Sequence, residues 1–142
     1  MKYIHYGHDK FEPILFNAIT NVPMFSKPKG GLWGSRKDSE YGWKECCKDL
    51  DIDINLELSF EFSLKPDARL LTIDSCEKLF DLPKSQVKRS FMENILLDFE
   101  KLAQEYDAIE VLISEDADLY YELYGWDCDS ILVMNPDAIE TK

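Results

Sequence analysis

Between Ile52 and Leu64 the apolar side chains Ile52, Ile54, Leu56, Leu58, Phe60, Phe62 and Leu64 stand at every second position. That period puts all seven on one face of a pleated strand, so the segment predicts a long strand with one buried face and demands a sheet beside it. The partners are at hand. Tyr3 to Tyr6 and Arg69 to Ile73 read as short strands, while Ala108 to Ile113 and Ser130 to Met134 are continuous apolar runs, the pattern of strands covered on both faces. Helical spacing appears in Phe11, Ile14, Leu15 and Ala18, and in a helix capped by Ser39 that runs through Tyr41, Trp43, Cys46, Cys47 and Leu50. A longer helix is expected from Ser85 to about Tyr106, through Val87, Phe91, Ile95, Leu96, Phe99 and Leu102, and a helical turn from Leu119 to Tyr124. The stretch from Asn21 to Gly31, interrupted by Pro and Gly, reads as an exposed loop. Strands and helices intermingle without a repeat, which gives an α+β class. At 142 residues the whole chain, 1–142, fits one domain burying about 68% of its unfolded surface.

Charge narrows the function. The formal charge is −12, which argues against a general grip on nucleic-acid phosphates, since that needs a basic surface. Residues 1–50 carry eight basic and six acidic side chains, against eight and twenty-two in residues 51–142, so an anionic ligand would prefer the first third. Cys46, Cys47, Cys76 and Cys128 lack the spacing of a zinc site, the two histidines are not paired along a helix, and no metal is expected. Without a long apolar leader or an apolar run of about 18 residues, the expectation is a cytoplasmic protein that does not enter membranes. Neither a Walker segment nor a Gly-X-Gly-X-X-Gly turn after a strand occurs, which disfavours P-loop and Rossmann enzymes.

Three separated clusters place polar or aromatic groups at strand ends, where a sheet holds them rigidly. The first is Ile4-His5-Tyr6-Gly7, with His8 just beyond. The second runs Lys29-Gly30-Gly31-Leu32-Trp33-Gly34-Ser35 and on to Ser39, Tyr41 and Trp43. The third is Asp127-Cys128-Asp129 before the strand at Ser130. Residues i and i+2 on a strand share a face, so the carboxylates of Asp127 and Asp129 are expected to point into one cleft. Arg36 and Arg69 are cations able to meet a pyrophosphate by charge-assisted bonds.

In this order the clusters resemble the ADP-ribosyltransferase superfamily, especially its His-Tyr-Glu branch, which includes poly(ADP-ribose) polymerases and diphtheria-type toxins. The likeness spans nearly the whole chain. It implies split antiparallel β-sheets with flanking helices around a cleft for NAD, the substrate, from which ADP-ribose passes to a macromolecular acceptor, foremost a protein, with release of nicotinamide. On that resemblance His5, with Tyr6 and Gly7, holds the nicotinamide ribose; Trp33, followed by Gly34 and Ser35, and Tyr41 or Trp43 embrace the nicotinamide ring. Asp129, helped by Asp127, stands where the family has its catalytic Glu and supports the cationic ribose, and Arg69 is a further cofactor-binding candidate. Glu122 is a second carboxylate candidate. Three positions depart from the family pattern: Tyr6 separates His from Gly, Trp33 stands where the family has Tyr, and Asp replaces Glu. The resemblance therefore leaves two alternatives open, a catalytically inactive binding module of the same fold and an NAD glycohydrolase. It also suggests toxins, effectors and phage-encoded modifiers acting inside a bacterial host cell.

Overall fold

A computed structural model of the chain describes residues 1–85 and 95–141, and the expected helical positions Val87 and Phe91 lie outside them. Seven strands form one mixed sheet: β1 (Tyr3–Tyr6), β2 (Leu32–Arg36), β3 (Ser59–Leu64), β4 (Leu70–Ile73), β5 (Ala108–Val111), β6 (Ser130–Val133) and β7 (Ile139–Glu140). Their order is β4-β5-β6-β2-β1-β3-β7. Only β4 and β5 run parallel; every other pair is antiparallel. Three helices accompany the sheet, α1 (Trp43–Asp49), α2 (Phe99–Glu105) and α3 (Ala117–Glu122). The α+β class stands. Among the described residues no helix is long and apolar enough to cross a membrane.

Strands β5 and β6 lie inside the sheet and are buried at all eight positions, as their unbroken apolar sequence demands. Alternation splits them between two cores. Ile109, Val111 and Leu132 join Phe99, Leu102, Leu119, Leu123 and Trp126 under the helices, while Ala108, Ile131 and Val133 face Tyr3, Leu32, Phe60 and Phe62. One charged side chain enters the second face. Glu110 is 2% exposed, and Arg36 reaches across β6 to donate from Nε to its Oε2 and from Nη2 to its Oε1, both at 2.7 Å. A bidentate fork of this kind satisfies the two carboxylate oxygens that burial would otherwise leave without water.

Several local expectations are corrected. The alternating segment forms a strand only over Ser59–Leu64. Before it, the Asn55 carboxamide accepts from Glu57 N at 3.0 Å and its carbonyl from Leu58 N at 3.2 Å, a turn that competes for the backbone groups a ladder would need. The partner limits it as well, because β1 has four residues and pairs only with Ser59 to Phe62. In place of a helix, the stretch around Ile14 makes a single 3-10 turn, Pro13–Leu15, with Ile14 84% exposed. Of the helix expected from Ser85 to about Tyr106, the described residues form α2 from Phe99, where Asp98 caps it by accepting from Lys101 N at 3.1 Å. Leu97 bridges Lys84 in an extended pairing, so residues 95–98 cannot be helical. Likewise α1 starts at Trp43 rather than after Ser39. Its first turn is held by Ser35 Oγ, which accepts from Trp43 N, and by Glu45, which accepts from Gly42 N, both at 3.1 Å.

The loop from Asn21 to Gly31 is pinned at its start and in its middle. Asn21 donates to Asp98 and accepts from Phe99 N, and the Trp126 indole donates to the Ser26 carbonyl at 2.8 Å. Gly30 then turns the chain into β2 at φ 93°, where a Cβ would stand 2.3 Å from the Ala18 carbonyl oxygen. At this same end of the strands Asp107 accepts from Arg69 N at 2.8 Å, from its guanidinium at 3.1 Å and from Asn135 Nδ2 at 2.9 Å. These bonds tie the entries of β4 and β5 to the exit of β6.

Two predictions follow from these buried charges. Arg36→Met strands Glu110 and is expected to cost about 3 kcal/mol in urea unfolding, while Arg36→Met with Glu110→Leu recovers most of it. The Arg69 guanidinium holds the Asp107 carboxyl well below the usual carboxylate range. A depressed carboxyl contributes stability above its unfolded value of about 3.9 and loses it as pH falls toward the folded one. Asp107→Asn should therefore flatten the decline of thermal stability below pH 4.

Candidate functional site

Because β2 lies between β1 and β6, the third cluster precedes β6 beside the end of β2, whereas the first two meet where β1 ends beside the start of β2. There a cavity of about 410 Å³ opens. Its walls come from His5, Tyr6, Gly7 and His8 on one side and from Trp33 and Trp43 on another. Asp53, Ile54 and Asn55 close it from the segment that did not become strand. The first two clusters thus meet; the third does not line this cavity.

His5 is fixed in place by both ring nitrogens. Its Nδ1 lies 2.6 Å from the Trp33 carbonyl oxygen, which can only accept, so Nδ1 carries the proton. Its Nε2 lies 2.9 Å from His8 Nδ1, and Phe60 packs against the ring with centroids 5.0 Å apart. Burial lowers the His5 pKa below its ordinary value, the bond to Trp33 opposing in part. Gly7 turns away from β1 at φ 105° and donates to the Leu58 carbonyl, which brings Ile54 over the cavity. Gly34 belongs to the scaffold, since a Cβ there would stand 2.6 Å from the Ile4 carbonyl oxygen. Ser35 is scaffold too, its hydroxyl serving the start of α1.

The aromatic residues do not form the expected sandwich. A ring held between two others needs parallel planes with centroids about 7 Å apart, twice the van der Waals thickness. Trp33 and Trp43 instead meet edge to face at 6.0 Å and 63°, and Trp33 also packs on Trp126 at 4.8 Å. Lys27 occupies the space a second stacked ring would take. Its Nζ lies 4.7 Å from the Trp33 centroid and 4.9 Å from that of Trp43, a double cation–π contact. Burial lowers the Lys27 pKa, with the Asp127 charge acting against it. Tyr41 is outside the cavity, donating from its hydroxyl to Asp49 at 3.0 Å. Two buried polar atoms are left without a partner among the described residues, the Trp43 indole N–H and the Ser39 hydroxyl.

Asp127 and Asp129 part company because β6 begins only at Ser130, so the strand period does not govern them. Asp127 is the anion beside Lys27. Asp129 is buried, donates its backbone N–H to the Tyr41 carbonyl, and accepts from Ser114 N at 2.9 Å and Ser114 Oγ at 2.5 Å. Its carboxylate closes the 3-10 turn Ile113–Glu115 onto the strand. Glu122 instead accepts from Ile95 N at 3.3 Å, away from the cavity. Arg36 and Arg69 are both engaged by buried carboxylates rather than free for a pyrophosphate.

His8, Asp53, Asn55 and Lys27 are the site residues that motif reasoning passed over or ranked second. Only His8 left a signal, its place three residues after His5. No protein-family model, no curated protein and no solved structure matches this chain. As a test of the Asp129 geometry, Asp129→Asn is expected to lower stability by about 2 kcal/mol in chemical denaturation, because it removes the charge from a buried acceptor that holds two Ser114 donors.

Proposed function

We propose that the cavity receives the nicotinamide and adjoining ribose of NAD and that the protein is an NAD-dependent mono-ADP-ribosyltransferase acting on a macromolecule. The observation that carries this reading is the convergence of His5, Trp33 and Trp43 on one cavity, with His5 oriented by the Trp33 backbone. The fit is chemical as well as spatial. Indole walls suit a flat apolar ring, and His8 and Asn55 offer partners for sugar hydroxyls. In the transfer the bond from ribose to nicotinamide breaks, a bond to the acceptor nucleophile forms, and the nucleophile gives up its proton. A carboxylate near the sugar would stabilise the cationic character that develops there. Asp53 is the carboxylate in the cavity wall, and Asp129 stands outside it.

The engagement of Asp129 by Ser114 favours a second reading, a binding module of the same kind in which NAD is held and not consumed. Calorimetry with NAD and nicotinamide release in the presence of cell lysate separate the two. The first reading expects both heat and release, with His5→Ala and Trp43→Ala each weakening NAD binding about tenfold. Heat without release from a folded protein supports the second. If the protein gives no heat with NAD, both readings are wrong.

A further inference from the structure

The two histidines at the cavity form a chain with a direction. The Trp33 carbonyl fixes a proton on His5 Nδ1. One hydrogen lies between His5 Nε2 and His8 Nδ1, 2.9 Å apart, and the two rings are nearly parallel, 15° between planes. Burial disfavours a second proton on His5, so Nε2 accepts and His8 Nδ1 is the donor. The remaining nitrogen of His8, Nε2, is then bare and belongs to an exposed ring that lines the cavity. His5 has spent both its nitrogens within the protein. It orients; it has no free atom to offer.

We infer that His8, through Nε2, is the imidazole that contacts the bound ligand, accepting a hydrogen bond from a sugar hydroxyl, and that His5 is a positioning residue acting through it. This rests on the NAD reading for the identity of the sugar. It reverses the roles that the order of the motif suggests, in which His5 makes the contact. The chemistry required is a hydroxyl donor close to the aromatic wall; a phosphate, which has only acceptors at neutral pH, does not match a bare imidazole nitrogen.

The two amide substitutions at position 8 separate contact from orientation. Asn places its amide near the position of Nδ1 and keeps a donor for His5, whereas Gln reaches the position of Nε2 and keeps an acceptor for the ligand. Calorimetry with NAD is expected to give His8→Gln within about threefold of the parent, and His8→Asn and His8→Ala each about tenfold weaker, the effect of one hydrogen bond to a ligand. Nitrogen-15 NMR of the ring atoms in the unliganded protein should find protonated Nδ1 and bare Nε2 on both histidines. If the parent binds NAD but Asn preserves affinity and Gln does not, or none of the three variants weakens binding, or the NMR finds Nε2 of His8 protonated at neutral pH, the assignment to His8 is overturned while the NAD reading stands. If the parent does not bind NAD, that reading fails and takes the sugar contact with it, even where the NMR finds the expected tautomers.

Discussion

Strand β2 is held between two strands that come from opposite ends of the chain, and the rest of the structure depends on those two ladders. On one side Leu32, Trp33 and Gly34 pair with Val133, Leu132 and Ile131; on the other, Ser35 and Arg36 pair with Ile4 and Tyr3. The half of β2 that pairs with β6 carries Trp33, and its carbonyl faces His5 because β1 lies immediately alongside. Gly30 and Gly34 make this possible by removing side chains where backbone carbonyls from residues 18 and 4 pass. Without that close approach the histidine and the indole would belong to separate surfaces.

The same ladders explain why a charge pair is tolerated in the second core. Side chains alternate across β2, so Arg36 shares a face with Gly34 and Leu32, and it meets Glu110 by spanning the intervening β6. A slip of one residue in either ladder would move Arg36 to the other face and leave Glu110 without a partner in an apolar layer. Apolar packing alone would penalise that slip less, because Ile131 and Leu132 are alike in size and both buried. The ion pair thus acts on register, a use for buried charge that is better attested than net stabilisation.

Much of the sheet was legible in the sequence. The continuous runs at Ala108 and Ser130 became β5 and β6, and Tyr3 to Tyr6 became β1, because long apolar segments have few other ways to escape water. The alternation from Ile52 failed over its first half for a reason that hydropathy does not carry. A strand needs a partner of equal length, and the Asn55 turn had a stronger local claim on the backbone. At the site, sequence order led to His5, Trp33 and Trp43, which do share a cavity. It did not reach Asp53 and Asn55, which arrive there only because that segment is not strand. Nor did it separate Asp127 from Asp129, because both precede the strand at Ser130 and its two-residue period does not extend to them.

Lys27 then decides what the aromatic cluster can do. Two indoles at 63° could have been opened into a slot by a small rotation, but an ammonium group resting on both rings opposes it. Leaving those faces would return the cation to a partly buried position with only Asp127 to compensate it, and cation–π contacts of about 1 kcal/mol each resist the change. The adjacent Ser26 carbonyl is bonded to the Trp126 indole, so the lysine cannot simply swing out with its loop. The two indoles therefore form a wall of the cavity rather than a slot, and His8, Asp53 and Asn55 supply polar groups to the rest of its lining. Under the proposed NAD reading, those polar groups rather than the indole face are where ligand choice would turn.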